Sequence, residues 1–183
     1  MDKNREAWLR EAVELMRPYV RERAGLDVPD VAVSVGFPYG RGGRHAIGQC
    51  HYTTADGAPA LFIHPELDEG TRVLDVLLHE ALHAALPDVG HRRPFARAAT
   101  ACGLAGKPTE TVAGDDLTPV LAGWLAKLGN YPHARVDTSK VKKQTTRMLR
   151  ASCPVDGYTV RVSRKWLEVG TPTCPCGTVM EEG

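Results

Sequence analysis

The sequence predicts an α+β fold: a small sheet of about three strands packed on helices, followed by a small C-terminal β module. Three observations carry that expectation. The runs "VAVSVGF" (31–37) and "ALFIHP" (60–65) are valine-rich or apolar, short, and closed by turn residues, as strands are. Apolar residues recur at helical spacing in 4–24, 71–86, 94–104 and 117–129. The last third of the chain turns basic and then sets valine and threonine alternation between cysteines.

In residues 4–24 the apolar positions are Trp8, Leu9, Ala12, Met16, Tyr19 and Val20, with Gly25 available as a stop and Pro18 expected to kink or shorten the helix. Between the two strands, "PYGRGGRHAIGQCHYTTADG" (38–57) has turn residues at each end and room for a central strand. Thr71 is a good N-cap residue for the next helix, "TRVLDVLLHEALHAAL", which runs to Pro87. Its residues Val73, Leu74, Leu77, Leu78, Ala81, Leu82 and Ala85 form a face to bury. A second helix is expected from Pro94 and a third over "LTPVLAGWLAKLG" (117–129). "NYPHARVDTSKVKK" reads as the way out of the domain, so the expected organisation is a first domain over 1–133, a basic linker over 134–150 and a small module over 151–183.

A chain of 183 residues with 43% hydrophobic and 25% charged residues suits one medium domain with an appendage. No apolar run approaches the roughly 20 residues of a membrane span, and "MDKNREAWLR" is too charged for a signal peptide. The expected location is cytoplasmic, with nucleoid association if the source is bacterial or phage. Five cysteines are an odd number, and in such a setting clustered cysteines more often hold metal than form disulfides. Cys50 and Cys102 stand alone in apolar surroundings and read as buried, inert thiols. The net charge of +1 conceals an asymmetry: from Ala134 to Trp166 nine bases (Arg135, Lys140, Lys142, Lys143, Arg147, Arg150, Arg161, Arg164, Lys165) face two acids, a local +7. That segment suits a polyanionic partner.

In "HEALH", His79 and His83 are four residues apart and share one helix face, where both can ligate one ion. Glu80 sits beside them at another angle, placed to act as a general base. The three fixed residues of HExxH also arise by chance. Here, however, His79 and Glu80 interrupt a run of leucine, valine and alanine, and burying a carboxylate there is costly unless it has a partner or a task. A catalytic zinc takes three protein ligands and leaves a fourth position open. His91, brought back by the short "LPDVG" turn, is the first choice for the third ligand, and Glu110 further on is the competing one.

"LLHEALHAAL...GHRRPFARAATACGL", followed by a basic segment and a cysteine-bearing tail, resembles the SprT-like zinc metalloprotease family, relatives of Spartan. The likeness covers roughly residues 30–105 and the tail. It implies a zincin-like domain with HExxH on the active-site helix, His79, His83 and His91 as ligands of a catalytic Zn2+, Glu80 as the base, and cleavage of proteins bound or crosslinked to DNA. Arg92 stands where that family usually has glycine.

The tail carries "CPVDGY" and "TCPCGTVM", two knuckle-like stretches of a zinc ribbon in which Asp156 replaces one cysteine and the second knuckle is shortened to CxC. Cys153, Cys174 and Cys176 are candidate ligands of a second, structural zinc, with Asp156 or a histidine as the fourth; a metal-free ribbon, or pairing of Cys174 with Cys176 on oxidation, are the other readings. Arg161, Arg164 and Lys165 offer contacts to DNA, including single-stranded DNA, and Trp166 reads as core for a small ribbon. Tyr131 or His133 could donate to an oxyanion in the cleft, or merely build a rigid turn. The alternative function from another class is a DNA-binding zinc-ribbon adaptor whose HExxH site is inert or structural.

Overall fold

The computed structural model describes residues 3–39, 46–52, 54–55, 57–140 and 148–183. Lys142, Lys143 and Arg147 of the basic segment, and most of the glycine-rich turn after Tyr39, lie outside the described residues. The fold is α+β, with five α-helices and three small sheets among the described residues, and the chain divides into two compact units, 1–137 and 138–183.

The first unit opens with helix α1 (Arg5–Ala24), whose N-terminus is capped by the Asn4 side chain accepting the Ala7 amide at 2.8 Å and whose C-terminus ends on Gly25 at φ 67°. The helix does not end at Pro18 but continues through it. Met16 and Val20 on either side are wholly buried, and their packing outweighs the roughly 3 kcal/mol that an internal proline costs. Strands β1 (Ala32–Val35), β2 (Gly48–His51) and β3 (Ala60–Ile63) form the sheet in the order β1-β3-β2. β1 runs parallel to β3 and β2 antiparallel to it, so β2 is an edge strand.

Helix α2 (Gly70–Ala85) is the centre of the core and packs against α1, the β2 and β3 strands, and three later elements: α3 (Arg93–Ala101), α4 (Thr118–Leu128) and β5 (Glu110–Ala113). It is buried nearly all round, as expected of a helix enclosed by others. Its N-cap is Glu69, not Thr71: the carboxylate accepts the amides of Thr71 at 2.8 Å and Arg72 at 2.6 Å, so the helix begins before the threonine. β5 pairs antiparallel with β4 (Leu104–Lys107) in a hairpin. Trp8 on α1 donates its indole N–H to the Gly129 carbonyl at the end of α4, and Tyr19 meets Trp124 edge-on.

The second unit contains β6 (Met148–Ser152), β7 (Thr159–Ser163), a short helix α5 (Arg164–Val169) and β8 (Glu181–Glu182), in the sheet order β7-β6-β8. Residues 148–150 therefore belong to this sheet and not to a linker. The stretch beginning at Arg164 is helical where an extended ribbon was expected. Trp166, expected in the core, is 59% exposed, because Ala151, Cys153, Cys174 and Met180, with Val160 and Val162 against them, already fill the interior. So small a core holds a unit of this length poorly without a further crosslink.

Candidate metal centre

The axial spacing of His79 and His83 on α2 brings both rings to one side of the helix, and the turn that follows supplies the third. Asp88 (φ 62°) and Gly90 (φ 58°) both take left-handed backbone, which reverses the chain within a few residues and returns His91 to the other two. The Nε2 atoms form a near-equilateral triangle: 3.2 Å from His79 to His91, 3.2 Å from His79 to His83 and 3.1 Å from His83 to His91. Nitrogens about 2.0–2.1 Å from a tetrahedral ion stand about 3.3 Å apart, so this triangle fits the cap of such a site. Arg92 has φ −71° and ψ −179°, ordinary extended backbone, and no glycine is needed there to present His91.

Phe95, the first apolar residue of α3, is wholly buried and backs all three rings. It stacks on His83 at 4.1 Å and meets His79 and His91 edge-on at 4.8 Å and 5.2 Å. Burial, reinforced by the neighbouring imidazoles, lowers His79 to about 3 and His83 to about 4, and burial also lowers His91. All three are thus neutral at pH 7, as ligands must be. Three lone pairs aimed at one point repel unless a cation lies between them. The donor set fits a divalent metal ion.

Glu80 lines the same cleft, 6% exposed, and burial pushes its carboxyl up to about 8 although the Cys50 amide on β2 donates to it. The cleft, about 540 Å³, is walled by β2 on one side and the β4–β5 turn and β5 on the other. Glu110, the competing third ligand, is not in the ligand group. Successive side chains on a strand point to opposite faces, and it is Thr111 that turns inward, its hydroxyl 2.8 Å from His79 Nδ1. Glu110 stays 75% exposed and faces Lys107 at 3.9 Å. Arg72 also lines the cleft, its Nη1 on Asp75 at 2.8 Å and on the Thr111 carbonyl at 3.2 Å.

Sequence reasoning missed Thr111, Arg72 and Gly48, and it under-read Cys50. Cys102 is wholly buried as expected and Cys50 half-buried, with thiols pushed up by burial to about 11 and about 12, but the Cys50 backbone serves Glu80. Tyr131 and His133 do not line the cleft. Tyr131 is 7% exposed and packs edge-on against Trp8, while His133 donates from Nε2 to the Pro65 carbonyl at 2.8 Å and accepts from Arg5 at Nδ1. They tie the end of the unit to α1, and the oxyanion reading does not hold.

In the second unit the ligand atoms of Cys153, Asp156, Cys174 and Cys176 all lie within 4.8 Å of one another. Two tight turns present them: Cys153 N–H bonds the Tyr158 carbonyl, and Cys174 N–H bonds the Thr178 carbonyl, both at 2.8 Å. Asp156 is held down to about 2 by the Tyr158 amide and then by the thiols around it, so it is ionised and ligand-competent. The Sγ atoms of Cys153 and Cys176 lie 3.6 Å apart. No histidine belongs to this group among the described residues.

Compared with protein-family models, with curated proteins and with solved structures, the chain finds no match. Among the described residues no helix is long and apolar enough to cross a membrane.

Proposed function

We propose that the chain is a zinc-dependent endopeptidase of SprT-like type with a zincin-like first unit, acting on proteins associated with or crosslinked to DNA. The observation that carries this reading is the triangle of His79, His83 and His91 Nε2 atoms set in an open cleft beside a buried glutamate. A structural zinc site is closed by four protein ligands; three ligands facing a cleft leave a position for water and substrate, which argues against an inert site. β2 is an edge strand on the cleft wall, a position that suits pairing with an extended peptide.

Zinc held by the three imidazoles would polarise the scissile carbonyl and acidify the attacking water. Glu80, anchored by the Cys50 amide and ionised once a cation is held beside it, would take the proton from that water as it attacks and hand it to the leaving amide nitrogen. Phe95 keeps the rings together and bulk water out from behind them.

In the second unit a further zinc at Cys153, Cys174, Cys176 and Asp156 is the crosslink its small core lacks. Its β6–β7 face supports a DNA partner: Arg150 and Arg161 are directly paired across the strands, Arg164 and Lys165 follow, and Lys165 lies 5.1 Å from the exposed Trp166 ring. The decisive experiment compares the intact chain with Glu80→Gln on DNA-bound protein substrates. Cleavage by the former and none by the latter, with equal zinc content, supports the reading; equal action on substrate sinks it.

A further inference from the structure

The ring of His79 differs from its two partners in having a hydrogen-bonded outer nitrogen. Its Nδ1 lies 2.8 Å from the Thr111 hydroxyl, whereas His83 Nδ1 is buried with no partner among the described residues and its ring is held by stacking on Phe95. We infer that Thr111 is the positioning residue of the metal centre, orienting His79 and fixing its tautomer, and that the Arg72–Asp75 pair acts through β5 to hold Thr111 in place.

The inference rests on the proposed metal centre and adds a requirement to it. For Nε2 of His79 to offer a lone pair, the ring hydrogen must sit on Nδ1 and needs an acceptor, and Thr111 Oγ1 is the atom there. Thr111 is 8% exposed, so water is a poor substitute. Its β-branched side chain is stiff about χ1, which turns control of the strand backbone into control of the hydroxyl. That backbone is gripped from α2 on both sides of Val112. Arg72 Nη1 donates to the Thr111 carbonyl at 3.2 Å, and Asp75 Oδ2 accepts the Ala113 amide at 3.2 Å, while Arg72 and Asp75 bind each other at 2.8 Å and 2.9 Å. Arg72 lies seven residues, about two turns, before His79 on the same helix. The ligand and the clamp that sets its orienting group thus belong to one rigid element.

The test is the affinity of the full chain for Co2+, followed by the visible d–d bands of a nitrogen-ligated site, which lack the thiolate charge-transfer absorption of the cysteine group. Thr111→Val removes only the hydrogen-bonding group at constant shape and is expected to weaken binding on the order of 10- to 100-fold. Thr111→Ser restores the hydroxyl and is expected to bind about as the parent chain does. Equal affinity for Thr111→Val overturns the inference and leaves the metal centre standing, and so does a serine variant as weak as the valine one, which would make the role mere packing. Should circular dichroism show Thr111→Val unfolded, Thr111→Ala is judged by the same outcomes. A parent chain with no nitrogen-ligated cobalt at all removes the underlying reading together with this one.

Discussion

Gly48 on β2 faces Glu80 on α2 across a gap that admits no side chain: a Cβ at Gly48 would fall 2.6 Å from Glu80 Oε1 and 2.6 Å from Val76 Cγ1. The constraint is steric, because the glycine lies in a regular strand that any residue could adopt. Gly48→Ala is therefore expected to push the carboxylate out of place while leaving the three histidines alone. A displacement of about 1 Å in a catalytic group costs on the order of 100-fold in rate, and overpacking of this kind about 1–3 kcal/mol in stability. Peptidase assay beside zinc analysis checks this; loss of zinc in step with activity would contradict it.

Tyr131 offers a test with the opposite sign. Its hydroxyl is buried without a partner, and burial pushes it up to about 12. Removing an unsatisfied buried hydroxyl relieves part of its desolvation cost, so Tyr131→Phe should raise stability by up to about 1 kcal/mol and leave the proposed peptidase activity unchanged. Thermal denaturation and kcat together decide the matter: a fall in kcat would return Tyr131 to the cleft.

The parts of the site that were legible in the sequence are those fixed by local periodicity. The spacing of His79 and His83 determines a shared helix face in any context, and the reversal after Pro87 left His91 little freedom. Thr111 was not legible, because β4 is Leu-Ala-Gly-Lys with no β-branched residue, and its hairpin is held by the tertiary grip of Arg72 and Asp75 on β5. Gly48 did carry a signal, since a glycine inside a strand often marks a close approach of another group. Trp166 misled because the need of a small ribbon for core was met instead by Met180 and the buried thiols. The α2 start was misplaced because Thr71 has the better capping propensity, yet the longer Glu69 side chain reaches two amides at once.

That cap makes the stability depend on pH. Burial alone would raise the Glu69 carboxyl, but the amides of Thr71 and Arg72 outweigh it and hold it below its ordinary value. A group depressed in the folded state stabilises above its unfolded value, near 4.5, and its contribution is lost as pH falls through the folded value. Glu69→Ala should cost about 1 kcal/mol at pH 7, and the gap between variant and parent should narrow as the pH falls below the ordinary carboxylate value and through the lowered folded one. Urea denaturation at both pH values measures it; a gap that does not change with pH would remove the carboxylate from the cap.

Metal removal should separate the two units. The second has only four buried hydrophobic residues in its cluster, whereas the first has an extended core around α2. Chelation is expected to abolish hydrogen-exchange protection over 148–163 and 173–182 while that of α1 and the core of α2 persists. Cys153, Cys174 and Cys176 should become open to alkylation at the same time, and Cys50 and Cys102, whose thiols burial raises to about 12 and about 11, should stay silent. Unchanged protection in 148–163 would mean that the cysteine group is no crosslink.

Arg150 and Arg161 are direct cross-strand neighbours on the exposed face of β6 and β7. Like charges in that register destabilise a hairpin by about 0.2–1 kcal/mol, so the pair is a local cost that a bridging phosphate would turn into a gain. Replacing either by glutamine should therefore stabilise the second unit slightly and weaken binding to DNA, two effects of opposite sign. For a phosphate contact, the slope of log affinity against log salt should fall by about one for each arginine removed, whatever the sequence of the DNA. Titration of single- and double-stranded oligonucleotides at several salt concentrations, beside thermal melts of the same variants, reads both. An unchanged salt slope would show that this arginine pair is only a solvated face and would remove it from the proposed DNA contact.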